Sequence, residues 1–171
     1  MALDESYSRG GEKVTDFESI YENNYKTVYR YILSLCRDAS VAEEIAQEAF
    51  VKALEHIDQF DGRCQLYVWI CQIAKNTYYT HQKKQKRFVS NQPMQVYMEA
   101  GPEEQFIDKE SAQRLYALLD RLQEPYREVF SLRVFGDLSF SQIAAIYSKT
   151  DSWARLIYFR AKKKLKEDMD E

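Results

Sequence analysis

The sequence predicts an all-α fold: two small helical domains joined by a flexible linker, the C-terminal one a helix-turn-helix. Three observations carry this. Apolar residues recur at helical spacing over long stretches, and no run alternates apolar with polar residues as a half-buried strand does. Glycine and proline are scarce, five and three in 171 residues, so few positions break a helix. One stretch, from about Phe88 to Asp108, loses periodicity. Its Ser90, Asn91, Pro93, Gly101, Pro102, Glu103 and Glu104 read as an acidic linker. The expected division is a tail over 1–14, a first domain over 15–88, a linker over 89–109 and a second domain over 110–171.

In chain order, Thr15 and Glu18 have the spacing of a capping box and open the first helix. Phe17, Ile20, Tyr21, Tyr25, Val28, Ile32 and Leu35 form its apolar face. Ser40 and Glu43 offer a second capping box. The helix after it carries Ile45, Ala46, Ala49, Phe50, Ala53, Leu54 and Ile57 on one side, and Glu44, Gln47, Glu48, Val51, Lys52 and Glu55 on the other. Gly62 marks a break. A third helix runs from about Gln65, with Leu66, Trp69, Ile70, Ile73 and Ala74 as core candidates. Beyond the linker, Leu115, Leu118, Leu119 and Leu122 predict a short helix. Pro125 suits the first turn of the next, which carries Val129, Phe130 and Leu132 up to Gly136.

The last two helices are the most specific. Ser139 and Gln142 form a capping box, and Leu138 and Ile143 sit where a hydrophobic staple lies. Ile143, Ala144 and Tyr147 give one apolar face. Ser148 to Thr150 make the turn, and Thr150 or Asp151 caps the helix that follows. There Ala154, Ile157, Tyr158, Ala161 and Leu165 form the buried stripe. Arg155, Arg160, Lys162, Lys163, Lys164 and Lys166 are left for solvent or phosphate. This is the layout of a helix-turn-helix DNA reader.

Charge is segregated along the chain, whose net value is −3. Met1 to Gly62 holds 6 Lys/Arg against 13 Asp/Glu; Arg63 to Val89 holds 6 against none; Lys149 to Lys166 holds 7 against 1. The first basic block interleaves its cations with rings: Trp69, Asn76, Tyr78, Tyr79, His81, Lys83, Lys84, Lys86 and Arg87. Unpaired bases stack on such rings while lysine and arginine follow the phosphates. Trp69 also falls on the apolar face, where a core role competes. Tyr78 and Tyr79 are adjacent, so at least one is expected at the surface.

Other chemistries find no support. Cys36, Cys64 and Cys71 are odd in number and lack metal-ligand spacing, and His56 and His81 are the only histidines. No metal site or cofactor is expected, and the cysteines read as reduced, mostly buried thiols. There is no nucleotide-binding glycine loop and no catalytic triad, so the expectation is a binding protein rather than an enzyme. No run is apolar enough to insert in a membrane, and the N-terminus lacks a signal-peptide core, which points to the cytoplasm.

Taken together, the segments Ala42-Glu-Glu-Ile-Ala-Gln-Glu-Ala-Phe-Val-Lys-Ala-Leu54, Phe60-Asp-Gly62 and Trp69-Ile-Cys-Gln-Ile-Ala-Lys-Asn76 resemble one half of a known family. Leu118 to Leu122, Arg127-Glu-Val-Phe-Ser-Leu-Arg133, Ile143-Ala144 and Arg160-Ala161 resemble the other. The family is the sigma factors of bacterial RNA polymerase, in the extracytoplasmic-function (ECF) group of the sigma-70 superfamily. The resemblance implies a transcription initiation factor with core RNA polymerase and promoter DNA as partners, and an anti-sigma factor as a further one. It assigns Glu44, Gln47, Glu48 and Lys52 to docking on the polymerase clamp helices. Asp61, Arg63, Trp69, Asn76, Tyr78, Tyr79, Lys83 and Lys84 fall to the melted minus-10 element, with base capture in the loop from Asp61 to Gln65. Asp151, Ser152, Trp153 and Arg155 fall to the minus-35 bases, and Arg160 and Lys163 to its phosphates. The linker would run through the polymerase, its acidity mimicking nucleic acid.

The chain departs from the family pattern at four places. Ser148 stands where glycine is usual, Gln142 where glutamate is, Asp61 where arginine is common, and Trp153 where a small or polar residue is. Two other readings stay open on the sequence: a stand-alone helix-turn-helix regulator of duplex DNA, and a helical adaptor that binds only protein.

Overall fold

The computed structural model describes residues 5–88 and 109–170, with side chains over 17–87 and 110–170. The acidic linker, Glu103, Glu104 and Asp108 included, lies outside the described residues. Those described form seven α-helices and no strand: α1 (Glu5–Cys36), α2 (Ala39–Glu55), α3 (Leu66–Phe88), α4 (Lys109–Arg121), α5 (Tyr126–Val134), α6 (Phe140–Tyr147) and α7 (Asp151–Met169), with a 3-10 turn at Ile57–Gln59 between α2 and α3.

α1, α2 and α3 pack as a three-helix unit. α2 makes this possible with a stripe of small residues: Ala42, Ala46, Ala49 and Ala53 are all fully buried, at the 4-3-4 spacing that keeps them on one face. Small side chains let the flanking helices approach closely. Phe50 adds a large ring to this face, with Phe17, Tyr21 and Tyr25 around it at 5.0–6.1 Å between ring centres. α5, α6 and α7 form the second unit, with α4 laid against α7. Leu119, Leu122, Phe130, Ala161 and Leu165 make a small core there.

Two helix starts differ from the sequence expectation. α1 begins at Glu5, so Thr15 lies inside a helix and does not open it. α2 is capped by Asp38 rather than Ser40. Arg37 takes a left-handed backbone (φ 58°) and ends α1. This leaves Asp38 extended, with its carboxylate accepting the Val41 N–H at 3.0 Å, and places Ser40 in the first turn. Leu54, expected on the apolar side, is exposed because α2 is ending there, while Ile57, expected on the same side, is buried in the turn that follows.

The largest difference is between the halves. The main core is not confined to the first three helices. It continues from Val68, Ile70, Cys71 and Ala74 on α3 into Val129, Leu132, Leu138, Ile143 and Ile146 of the second unit. The two helical units pack directly on each other, through α1 against α5 and α3 against α6.

Candidate DNA-reading and docking surfaces

The helix-turn-helix is built as its sequence chemistry requires. Ser139 caps α6: its hydroxyl accepts the Gln142 N–H at 3.1 Å, and the Gln142 carboxamide oxygen accepts the Ser139 N–H at 2.8 Å. The staple residues Leu138 and Ile143 are both fully buried. α6 ends at Ser148, which is left-handed (φ 53°, ψ 43°). Thr150 then caps α7 by accepting the Trp153 N–H at 3.2 Å. α7 seats Ala154, Ile157, Ala161 and Leu165 in the core; Tyr158 is half-buried.

The opposite face of α7 points outward. Asp151, Ser152, Arg155, Arg160 and Lys163 are all exposed. Trp153 is not: it leans back onto the Tyr147 ring, 5.1 Å between centres, which is how the turn accommodates its bulk. Two residues that sequence reasoning passed over take its place on the surface. Leu156 is 47% and Phe159 52% exposed, between Arg155 and Arg160. Large apolar side chains in the middle of a basic helix face are unusual unless something covers them. Their omission from the buried stripe was the available signal. The Arg155 guanidinium lies 5.4 Å from the Phe140 ring centre and rests on it.

On the first unit, the loop before α3 is shaped by Gly62 at φ 75°. Asp61 and Arg63 flank it, both exposed, their side chains paired at 2.9 Å. The Asp61 carboxylate also accepts the Arg63 N–H at 3.1 Å, so the loop closes on itself. Trp69 is half-buried and packs on Phe60 at 5.3 Å. Asn76, Lys83 and Lys84 are exposed along α3.

The expectation that Tyr78 or Tyr79 lies at the surface is not met. Tyr78 is buried, its hydroxyl donating to the Leu35 carbonyl at 3.1 Å and accepting from Gln82 at 2.6 Å. Tyr79 is half-buried, its hydroxyl donating to Glu128 of the second unit at 3.2 Å. Neither ring faces solvent because α3 is covered on two sides, by its own unit and by the other.

The third surface is the outer face of α2. Glu44, Gln47 and Glu48 are exposed. Lys52 is half-buried, paired with Glu48 at 2.5 Å and donating to the Thr77 hydroxyl at 3.4 Å. Val51 and Leu54 stand among these acids, 54% and 48% exposed. An apolar centre with a charged rim is the composition of a protein-binding patch.

These features define a class: a helical protein with a helix-turn-helix at one end, and at the other a helical unit bearing both a basic helix and an acidic-rimmed patch. Comparison with known proteins gives the class a family. Residues 20–88 match the model of sigma-70 region 2, and residues 112–165 that of sigma-70 region 4. The chain is 26% identical over 151 residues to the ECF RNA polymerase sigma factor SigM of Bacillus subtilis, covering 87% of this chain and 92% of that one. It is 29% identical over 131 residues to the ECF RNA polymerase sigma-E factor of Escherichia coli strain K12, covering 70% and 69%. In fold it is similar to the sigma factor RpoE of Bartonella quintana, solved with the anti-sigma factor NepR, at TM-score 0.68 and 20% identity over 91% of this chain and 97% of that one. CnrH, solved with the cytosolic domain of CnrY, is equally similar, at TM-score 0.68 and 18% identity over 90% and 87%.

The chain belongs to the sigma-70 family of RNA polymerase sigma factors, in its extracytoplasmic-function group. Sigma factors are not enzymes.

Proposed function

We propose that this chain is a transcription initiation factor: it binds core RNA polymerase, directs it to a set of promoters and helps to melt their minus-10 DNA. The observation that carries the reading is the pairing of a region 2 and a region 4 match, in that order, with a capped helix-turn-helix in the second. The polymerase supplies the catalysis.

In this reading α2 docks on the polymerase. Glu44, Gln47, Glu48 and Lys52 form the polar rim of the contact, and Val51 and Leu54 its apolar centre. The loop from Asp61 to Gln65 takes a flipped base of the melted strand, while Asn76, Lys83 and Lys84 follow its backbone. Trp69 and Tyr79 supply the rings; Tyr78, buried and doubly hydrogen-bonded, shapes the surface from behind. α7 enters the major groove of the minus-35 element. Ser152 and Arg155 reach base edges, Leu156 and Phe159 meet thymine methyl groups, and Arg160 and Lys163 neutralise phosphates. Trp153 positions the start of α7 by its packing on Tyr147. The acidic linker joins the two readers through the polymerase. An anti-sigma factor, of the kind seen with the structural relatives, holds the protein inactive in the cytoplasm until its signal arrives.

Run-off transcription with purified core polymerase on fragments of the source genome tests the reading. Discrete new transcripts that depend on this chain are expected. Gln47→Ala with Glu48→Ala should weaken polymerase binding and leave folding intact. Absence of both transcripts and core binding would return the chain to a regulator of duplex DNA alone.

A further inference from the structure

Between the two units lies a buried carboxylate that this function does not use. Glu128, on α5, is 4% exposed. One oxygen accepts the Tyr31 hydroxyl at 3.3 Å and the other the Tyr79 hydroxyl at 3.2 Å. The Lys75 ammonium is 4.0 Å away and also sits 4.1 Å over the Tyr147 ring. Tyr31 comes from α1; Lys75 and Tyr79 come from α3. All three of these groups therefore belong to the first unit, while the anion belongs to the second. Burial first, and the Glu128 charge second, push the hydroxyls of Tyr31, Tyr79 and Tyr147 above their ordinary range, which keeps them protonated.

The same seam runs on in both directions. The Tyr67 hydroxyl donates to the Gly136 carbonyl at 2.7 Å, and the Gln142 amide to the Gln65 side chain at 2.9 Å. Arg127 donates to the Leu35 carbonyl, and Arg37 to the Tyr116 carbonyl and the Asp120 carboxylate. The bonds of Gln65, Tyr67 and Tyr79 lay the second unit along the stretch from Gln65 to Tyr79, just before and in the first half of α3, and those of Arg127 and Arg37 tie it to the end of α1. Gln65 to Tyr79 is the stretch whose rings would meet unpaired bases, and a Tyr79 bonded to Glu128 is not available to stack. The packed form also cannot span a promoter. Minus-10 and minus-35 elements are about 25 base pairs apart, on the order of 80 Å of duplex. Here the two readers touch.

Resting on the initiation-factor reading, we propose that the packed form is a closed state of the free protein and that Glu128 is its latch. Glu128 pins the helix-turn-helix unit on the DNA-facing side of α3, and both promoter elements become readable only once the latch is released. Each bond of the latch crosses between the units, so release breaks no hydrogen bond within either unit, while the apolar seam shared by α3 and the second unit parts with it. In the open form the carboxylate, the ammonium and the hydroxyls all meet water, which makes the latch reversible.

The test needs neither polymerase nor a promoter, so its failure is separable from failure of the initiation-factor reading. Dyes are attached at Glu55→Cys on α2 and Lys162→Cys on α7, both exposed, in a Cys64→Ser background of the full chain. Energy transfer between them is expected to be high in the otherwise unaltered protein. Glu128→Ala leaves buried hydroxyls and an ammonium without their acceptor, and should raise the open-to-closed ratio roughly tenfold or more. Binding to a fluorescein-labelled 20-nucleotide thymidine strand, read by anisotropy, should tighten by up to about tenfold, in step with the open fraction.

High transfer that falls in Glu128→Ala, with tighter strand binding, supports the latch. Low transfer in the starting protein overturns it. So does a folded Glu128→Ala with unchanged transfer, or lower transfer without tighter strand binding. Should circular dichroism show that Glu128→Ala has unfolded, Tyr31→Phe decides. It removes one hydroxyl while keeping the buried ring, and it must lower transfer by a smaller step; no change overturns the proposal.

Discussion

Replacing Ser148 with glycine should make this protein more stable, and the size of the effect follows from one backbone conformation. Ser148 closes α6 at φ 53° and ψ 43°, the left-handed region. Its N–H donates to the Ala145 carbonyl at 3.3 Å, and the next N–H, of Lys149, to the Ala144 carbonyl at 2.9 Å. Those bonds fix the sharp turn that sets α7 against α6, and they require this backbone geometry. For a residue with a Cβ the left-handed conformation costs about 1–2 kcal/mol. Glycine removes that cost but adds about 0.5–1 kcal/mol of backbone entropy in the unfolded chain. The serine side chain is exposed, so little packing is lost. The difference is a gain of about 0.5–1 kcal/mol, or roughly 1–4 °C in melting temperature for a chain of this length. Urea unfolding followed by circular dichroism measures it, provided the slope stays constant. Ser148→Val should go the other way, because a β-branched residue tolerates positive φ least. A glycine variant less stable than the starting protein would refute the reasoning, and would mean that the serine side chain holds the turn.

Other outcomes test other parts of the molecule. A methyl group at Gly136 would fall 2.7 Å from the Leu132 carbonyl oxygen, a backbone atom that cannot step aside, so Gly136→Ala should destabilise by about 1–3 kcal/mol in the same urea assay. Burial pushes the Cys36 thiol up to about 11 and the Cys71 thiol up to about 12, while Cys64 is partly exposed and raised less. Titration with a thiol-reactive chromophore at pH 8 should therefore show one fast equivalent, lost in Cys64→Ser, with the other two reacting only on unfolding. Leu156→Ser with Phe159→Ser should cost no more than about 1–2 kcal/mol of stability, since both side chains are half exposed and Phe159 loses its ring contacts with Phe140 and Tyr158, and lower transcription roughly tenfold at promoters with thymine in the minus-35 element. Replacing those thymines with uracil, which lacks the methyl group, should weaken the starting protein and leave the double variant unchanged; equal responses would remove the methyl contact.

Much of the fold could be read from the sequence because its determinants are local. The Ser139–Gln142 capping box, the Leu138–Ile143 staple and the Thr150 cap each depend on residues within five positions of one another, and each forms. The alanine-rich face of α2 follows from periodicity alone. Where sequence reasoning missed, a competing local option won. Asp38 took the cap expected of Ser40 because a left-handed Arg37 had already ended α1. Leu54 sits at the edge of its helical face, where periodicity cannot say whether the next segment will cover it, while Ile57, expected on the same face, is buried.

The candidate surfaces were harder to read for a reason that bears on how the protein works. A tyrosine followed four and five residues later by lysines reads as an exposed nucleic-acid face whenever only its own helix is considered. Tyr79 is held instead by a carboxylate 49 residues away, and the same carboxylate takes a hydroxyl 97 residues away. Within Arg127-Glu-Val, Glu128 looks like any solvated helix glutamate; only the packing of two units makes it a buried anion. Tyr79, which its own helix would leave at the surface, and Glu128 are thus partners in one contact. Local pattern describes the face that α3 would show to DNA, and the packed structure shows what covers that face. Both descriptions hold if the two units separate when the protein reads a promoter. The misreading of Tyr79 then has a physical cause: its sequence context fits the open form, and its hydrogen bond belongs to the closed one.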